Sequence, residues 1–312
     1  MTPVSPLSPP HDVEIVEVGP RDGFQPIGPF IPTAAKIDFV RRLRATGFRR
    51  VEIGSFVSAA ALPQMADTPA VLDAVRDEPG LLAQVLVPTE RRGLDAVAAR
   101  APMIAYVLSV SPAHNRNNVR RTPEDSAADY ERLLAGIPEE TPVRLNLATA
   151  FDCPFDGRVE PAAVMALLDR LVPLRAGAEI CLCDTTGRAV PDQMRRLFGE
   201  ATARFPGVRH WAMHAHDTYG LGLANVFAAF EEGVRVFDGA FAGLGGCPFA
   251  PGATGNVASE DLAWMFERMG VSTGLDVAAL ADLADEAAAL PGAQPGGRAR
   301  AALRARPDAC AA

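Results

Sequence analysis

The sequence predicts an α/β fold: a closed (β/α)8 TIM barrel with a short helical C-terminal extension. Three observations carry this. Eight short apolar runs alternate with eight stretches of helical period. The strand runs are almost wholly apolar, as expected of parallel strands buried on both faces. Acidic, basic, imidazole and thiol side chains gather just after strand ends that are far apart in sequence, which is where barrels of this kind carry their active sites.

The elements follow in order along the chain. Glu14–Val18 reads as the first strand. Thr33–Thr46 reads as a helix, with Thr33 as N-cap and Gly47 past its end. Arg50–Ile53 is the second strand, followed by a helix over Pro69–Arg76. Leu82–Leu86 and Thr89–Ala99 form the third strand and helix, and Met103–Ser109 and Thr122–Ala135 the fourth. Val143–Leu147 and Pro161–Leu171 are the fifth unit, Glu179–Cys183 and Pro191–Arg204 the sixth. His210–His214 and Leu221–Glu231 are the seventh, Val234–Asp238 and Glu260–Arg268 the eighth. Val277–Ala289 is a further helix. Residues 1–12 are expected to be a flexible tail, 13–274 the catalytic barrel, 275–290 the helical extension and 291–312 a loose tail rich in Gly, Pro, Ala and Arg.

Bulk properties narrow the function. The chain has 312 residues and is 48% hydrophobic, enough for one large barrel of about 250 residues with additions. No run approaches the roughly 20 apolar residues of a membrane span. The Pro/Ser-rich start has no Lys or Arg before Arg21, unlike a secretory signal or a mitochondrial presequence, so a cytoplasmic protein is expected. A net charge of −8 argues against nucleic acid as a partner, because phosphate neutralisation needs a basic surface. The five cysteines follow no framework or paired zinc spacing, so free thiols are expected.

Residues 213–220 read Met-His-Ala-His-Asp-Thr-Tyr-Gly. Side chains at i and i+2 of a strand point the same way, so His214 and His216 can converge on one metal ion. For either histidine alone, a hydrogen-bonded strand residue is an equal alternative. Asp22, after the first strand, adds an oxygen donor, and Asn256 can supply a neutral one. Two nitrogens and one oxygen suit Mg²⁺, Mn²⁺ or another borderline divalent ion, with positions left open for substrate. Such an ion lowers the pKa of a substrate hydroxyl and polarises a carbonyl. Arg21 beside Asp22 can stabilise an oxyanion or enolate, and Glu52 is a candidate partner that orients it. A structural ion pair at the rim is the alternative for both. Asp184 follows the sixth strand and joins the polar residues at this rim. Five glycines between Gly243 and Asn256 make a loop able to move and to approach a ligand closely. Cys247 in that loop suits proton transfer, against the plainer reading of a small apolar loop residue. Gln25, Gly245 and Gly246, together with Arg21, are candidate substrate-binding positions. Cys181 and Cys183 read as core strand residues and Cys153 as structural. Cys310 near the end is a weak candidate for an intersubunit disulfide.

At these motifs the sequence resembles the 3-hydroxy-3-methylglutaryl-CoA lyase family, within the wider metal-dependent barrels that carry Arg-Asp after the first strand. The matching stretches include Val18-Gly19-Pro20-Arg21-Asp22-Gly23, Ser55-Phe56-Val57-Ser58, Cys153-Pro154-Phe155, His214-Ala215-His216-Asp217 and Gly245-Gly246-Cys247-Pro248. The last is the most specific. The resemblance implies that Asp22, His214 and His216, with Asn256, bind Mg²⁺ or Mn²⁺. It implies that Arg21 stabilises the thioester enolate, that Glu52 supports Arg21, that Asp184 is a polar or acid–base residue beside the substrate, and that Cys247 transfers a proton. The implied reaction cleaves a tertiary 3-hydroxyacyl-CoA to a ketone and acetyl-CoA, with a homodimer as the assembly.

Departures from the family pattern fall on the substrate rim. Phe24-Gln25-Pro26-Ile27 replaces the usual Leu-Gln-Asn-Glu, Ser111-Pro112 replaces Ser-Glu ahead of His114, Asn115 and Arg116, and Asn146-Leu147-Ala148-Thr149 closes the fifth strand. They leave the metal chemistry intact and open the acyl group to alternatives such as citramalyl-CoA. Arg116, Arg120 and Arg121 read as a solvated face, with CoA phosphates the other candidate contact. Two rivals are a Claisen-type acyltransferase of the isopropylmalate synthase group and a catalytically silent barrel. A chain ending soon after the barrel and the Gly-Gly-Cys-Pro loop disfavour the first; the complete set of candidate site residues disfavours the second.

Overall fold

Eight parallel strands close on themselves in a computed structural model that describes residues 11–246 and 255–305. Around the barrel they run β1 (Glu14–Glu17), β10 (Val236–Gly239), β9 (Trp211–Ala215), β8 (Glu179–Asp184), β5 (Val143–Ala148), β4 (Met103–Ser109), β3 (Leu82–Val87) and β2 (Arg50–Ser55). Glu17 pairs with both Gly239 and Val51, which closes the ring. The remaining pair, β6 (Asp152–Cys153) and β7 (Gly157–Arg158), is a short antiparallel hairpin beyond β5. The predicted (β/α)8 fold is the one observed.

The outer layer comprises α1 (Thr33–Ala45), α2 (Thr68–Val75), α3 (Glu90–Ala98), α5 (Pro123–Gly136), α6 (Pro161–Leu171), α7 (Pro191–Arg204), α8 (Gly222–Glu231) and α9 (Ser259–Arg268). Side chains such as Val40, Leu43, Val71, Leu133, Leu168, Leu197 and Phe266 bury the inner stripes of these helices against the strands. The α1 start differs from expectation. Pro32 occupies the N-cap position and makes no side-chain cap, while the Thr33 hydroxyl donates to Asp67 at 2.8 Å. Pairing with a tertiary partner has replaced local capping. α10 (Val277–Ala288) is the predicted extension, capped by Asp276.

Two helices lie where none is expected. α4 (Pro112–Val119) has no apolar stripe, only Ala-His-Asn-Arg-Asn-Asn between its end residues. Ser111 caps it, and Asn115 ties it to β4 by accepting from Ser109 N–H at 2.9 Å. Within the stretch read as a loose tail, α11 (Ala299–Arg304) is held by Asp261, which accepts from Arg298 and Ala299 N–H, and by an Arg300–Asp285 pair. Both helices depend on long-range polar partners, which local periodicity cannot reveal.

The lumen is not simply apolar. Arg50 bridges Glu14 (2.9 Å) and Glu179 (3.0 Å), and Arg144 links Glu179 (3.3 Å) to Asp238 (2.8 Å). Val16, Val18, Cys181, Cys183, Ala212 and Val236 form a small apolar patch beside this chain of charges. Cys181 and Cys183 are core strand residues, as predicted.

Candidate active site

A single turn of π-helix after β1 delivers the first two functional groups. The Val18 carbonyl accepts from the N–H groups of Arg21 (3.1 Å) and Asp22 (2.7 Å), and Gly19 accepts from Phe24 N–H at 2.8 Å. A side chain at Gly19 would collide with Phe241 and Glu17, so this turn needs glycine. It sets Arg21 and Asp22 side by side, with Arg21 Nη1 donating to Asp22 and Nε donating to Glu52 on β2. The other Glu52 oxygen accepts from Gln84 on β3 at 2.6 Å.

His214 on β9 and His216 just beyond it bring their rings to 5.1 Å between centroids. His214 Nδ1 is 3.0 Å from Asp238 on β10, leaving its Nε2 edge for other contacts. His216 Nε2 lies 3.8 Å from Asp22 Oδ2. Asn256, bridged to His216 across the loop after β10, donates to Asp22 Oδ2 (2.7 Å) and the Leu244 carbonyl (2.9 Å). Gly245 is in the left-handed region (φ +136°), and a Cβ there would strike Asn256. The loop therefore comes close enough to orient Asn256 only because Gly245 lacks a side chain.

Electrostatics follow from this packing. Burial opposes ionisation of Asp22, but Arg21, His214 and His216 outweigh it and bring its carboxyl down to about 2. Burial and the neighbouring His214 push His216 down to about 4. For His214, burial is opposed and overcome by Asp238, and the pKa rises. A carboxylate beside a neutral imidazole, with a second imidazole braced by its own carboxylate, is a donor set for a divalent cation. Asp22, His214 and His216 each offer an atom within 4.8 Å of the others. His216 Nδ1 and Asn256 Oδ1 are buried and make no hydrogen bond among the described residues. Along the lumen five carboxylates (Glu14, Glu52, Glu179, Asp22, Asp238) face three guanidiniums (Arg21, Arg50, Arg144). Carboxylates thus outnumber guanidiniums along the lumen, which favours a cation there. The residues fit such an ion.

The site opens into a cleft lined by Arg21, Gln25, Glu52, His214, His216 and Gly246, among others. Gln25, Glu52 and Gly246 thus stand where predicted. Asp184 does not. It pairs with Ala215, one residue out of step with Cys183 opposite His214, so strand alternation turns it away from the lumen. Its carboxylate instead accepts from Ala189 N–H at 3.3 Å, supporting the loop before α7. Burial raises its pKa to about 7 against the pull of the Ala189, Gly187 and Arg188 N–H groups. Cys247 and Cys310 lie outside the described residues. Cys153 is buried in contact with Ser111, at 3.0 Å, and Asp156.

Sequence reading missed Asp238, Arg144 and Thr185; His114, Asn118 and Asn146, in stretches it assigned to the substrate rim, line the far wall of the cleft. Charges inside apolar strands were a usable signal for the first two, since a buried charge demands a partner.

The HMGL-like family model matches residues 12–286. The chain belongs to this family. Hydroxymethylglutaryl-CoA lyase of Pseudomonas mevalonii is 40% identical over 94% of this chain and 97% of its own length. (R)-citramalyl-CoA lyase of Chloroflexus aurantiacus is also 40% identical, over 88% and 89%. Among solved structures, an HMG-CoA lyase from Acinetobacter baumannii in complex with coenzyme A and 3-methylmalate superposes with a TM-score of 0.87. It shares 37% identity, covering 99% of this chain and 98% of the other.

Proposed function

We propose that this chain is a divalent-metal-dependent carbon–carbon lyase that cleaves 3-hydroxy-3-methylglutaryl-CoA to acetyl-CoA and acetoacetate. The observation that carries the reading is the convergence of Arg21, Asp22, His214 and His216 at the floor of the cleft, in a chain 40% identical to a hydroxymethylglutaryl-CoA lyase. Asp22, His214 and His216, with Asn256 Oδ1, would hold Mg²⁺ or Mn²⁺. When bound, the ion supplies positive charge that acidifies a substrate hydroxyl and polarises a carbonyl.

The protein's own groups do the rest. A base takes the tertiary hydroxyl proton and the C2–C3 bond breaks; the alkoxide carbon becomes the ketone, and the bond pair passes to the thioester as an enolate. Arg21, permanently charged and braced by Glu52, meets the developing oxyanion. Protonation at C2 then gives acetyl-CoA, with the Cys247 thiol as the proton donor of this reading. Asp238 holds His214 in the tautomer that presents Nε2. Asp184 supports the loop that carries Thr185 to the cleft.

Citramalyl-CoA is a second reading, favoured by the Chloroflexus relative and by the departures along the far wall. A cytoplasmic location and a homodimer belong to the same proposal. Phe227 on α8 and Trp264 on α9 leave apolar surface exposed on outer helices. The deciding experiment measures acetyl-CoA release from each substrate with Mg²⁺ or Mn²⁺, with and without chelator. Chelator-sensitive release from 3-hydroxy-3-methylglutaryl-CoA is expected. Release from citramalyl-CoA alone would transfer the assignment, and no release from either would sink it.

A further inference from the structure

Strand β8 carries two cysteines, Cys181 and Cys183. Side chains at i and i+2 of a strand point the same way, so both belong to one face. The register turns that face into the lumen: Cys181 pairs with Asn146 on β5, and Cys183 with His214 on β9. Asn146, Cys183 and His214 line the cleft, while Cys181 lies one layer deeper and is fully buried. Both cysteines are free, and neither has a part in the lyase chemistry.

Their sulfurs are 3.8 Å apart. That separation suits a metal ion better than a disulfide. Alternate Cα atoms of a strand are about 6.6 Å apart, close to the upper end of the roughly 4.4–6.8 Å that a disulfide spans. An S–S bond of about 2 Å would also draw the sulfurs together by nearly half their separation. Two thiolate bonds of about 2.3 Å meeting at the tetrahedral angle, by contrast, hold their sulfurs about 3.8 Å apart. An ion bridges this pair as it stands.

The surroundings favour the ionised sulfur. Arg144 Nη2 donates to Cys181 Sγ at 2.8 Å, and a guanidinium beside a sulfur stabilises the thiolate, the form that binds metal. Arg144 is also paired with Asp238 at 2.8 Å and Glu179 at 3.3 Å, so its charge is offset by carboxylates and does not bar a cation. Sulfur donors set this pair apart from Asp22, His214 and His216, whose oxygen and nitrogen donors suit harder ions.

We propose that Cys181 and Cys183 form a second cation site, a bidentate thiolate clip in the lumen for a soft divalent ion of the Zn²⁺ or Cd²⁺ class. Each thiol gives up its proton and each sulfur donates a lone pair to the ion; nothing is oxidised or reduced. Cys183, on the cleft wall, is the side from which the ion enters. The site does not depend on the lyase reading.

The test titrates Cd²⁺ into the full chain with Mn²⁺ in excess. It follows the ultraviolet thiolate-to-cadmium charge-transfer band, which oxygen and nitrogen ligands do not give. Wild type is compared with Cys181→Ser, Cys183→Ser, Cys183→Ala, Cys153→Ser, Cys247→Ser and His216→Ala, with thermal melting to confirm folding. Wild type is expected to bind Cd²⁺ with the band intensity of two thiolates. Losing an outer-shell partner already costs about 10- to 100-fold in metal affinity. Each change at Cys181 or Cys183 should therefore weaken the titration by at least about a hundredfold, while Cys153→Ser, Cys247→Ser and His216→Ala keep it. No band in the wild type, an equal titration in the wild type and both Cys183 variants, or a band lost in Cys153→Ser or Cys247→Ser overturns the site.

Discussion

Arg21 donates to Asp22 and Glu52 at once, so its guanidinium is held in place before any substrate arrives. Arg21→Met removes the charge that the proposed mechanism aims at the enolate, and a loss of about 10²- to 10³-fold in kcat is expected with an unchanged far-UV spectrum. Arg21→Lys should recover little, since an ammonium cannot copy the planar fork. Asp184 behaves differently. Its pKa is raised from 3.8 to about 7, so the fold favours its protonated form. The associated stability is full below about pH 4 and is lost as pH rises through about 7. Asp184→Asn keeps the shape without the charge. Its stability relative to wild type should therefore grow between pH 5 and pH 8 in paired denaturant titrations, and a constant difference would contradict the assignment.

At the scale of elements, α4 is the clearest case of tertiary contacts overriding local preference. Its eight residues start with Pro112 and include three asparagines, poor helix formers that favour turns and caps. Asn115 makes four hydrogen bonds to β4, the following loop and α5. Asn115→Ala should cost about 1–3 kcal/mol and weaken acyl-CoA binding by releasing the wall that carries His114. Calorimetric melting and ligand titration of that variant would show both changes. The loop after β10 is constrained in another way, by the close approach of Gly245 to Asn256.

The lumen as a whole is an alternating chain of charges from Glu14 through Arg50, Glu179 and Arg144 to Asp238 and His214. Removing one member strands another in low dielectric. Arg144→Met should destabilise the barrel by about 3–5 kcal/mol, measured by denaturant unfolding, and should weaken metal binding through Asp238. The excess of carboxylates over guanidiniums favours the loaded lumen over the empty one. Mn²⁺ at a hundred times its Kd should stabilise the wild type by about 2.7 kcal/mol, seen as a rise in Tm. His216→Ala should abolish that rise.

The eight units, the candidate metal-binding trio and the Arg21–Glu52 pair were legible because each rests on local pattern: strand composition, i and i+2 alternation, and polar residues after strand ends. Three things were not. Asp184 needed the register with β9, because a shift of one residue exchanges lumen for exterior. Asp238 and Arg144 needed the closed ring, which alone brings β5, β9 and β10 within hydrogen-bond reach. For His114 the place on the rim was legible, but its approach to the cleft needed α4, a helix held by long-range polar bonds with no apolar period to announce it. Sequence by itself determined the class of fold and the chemistry of the donors, since periodicity and residue type are local properties. Tertiary structure decided which donors share the cleft and which wall faces them, because those depend on closure and register among residues distant along the chain.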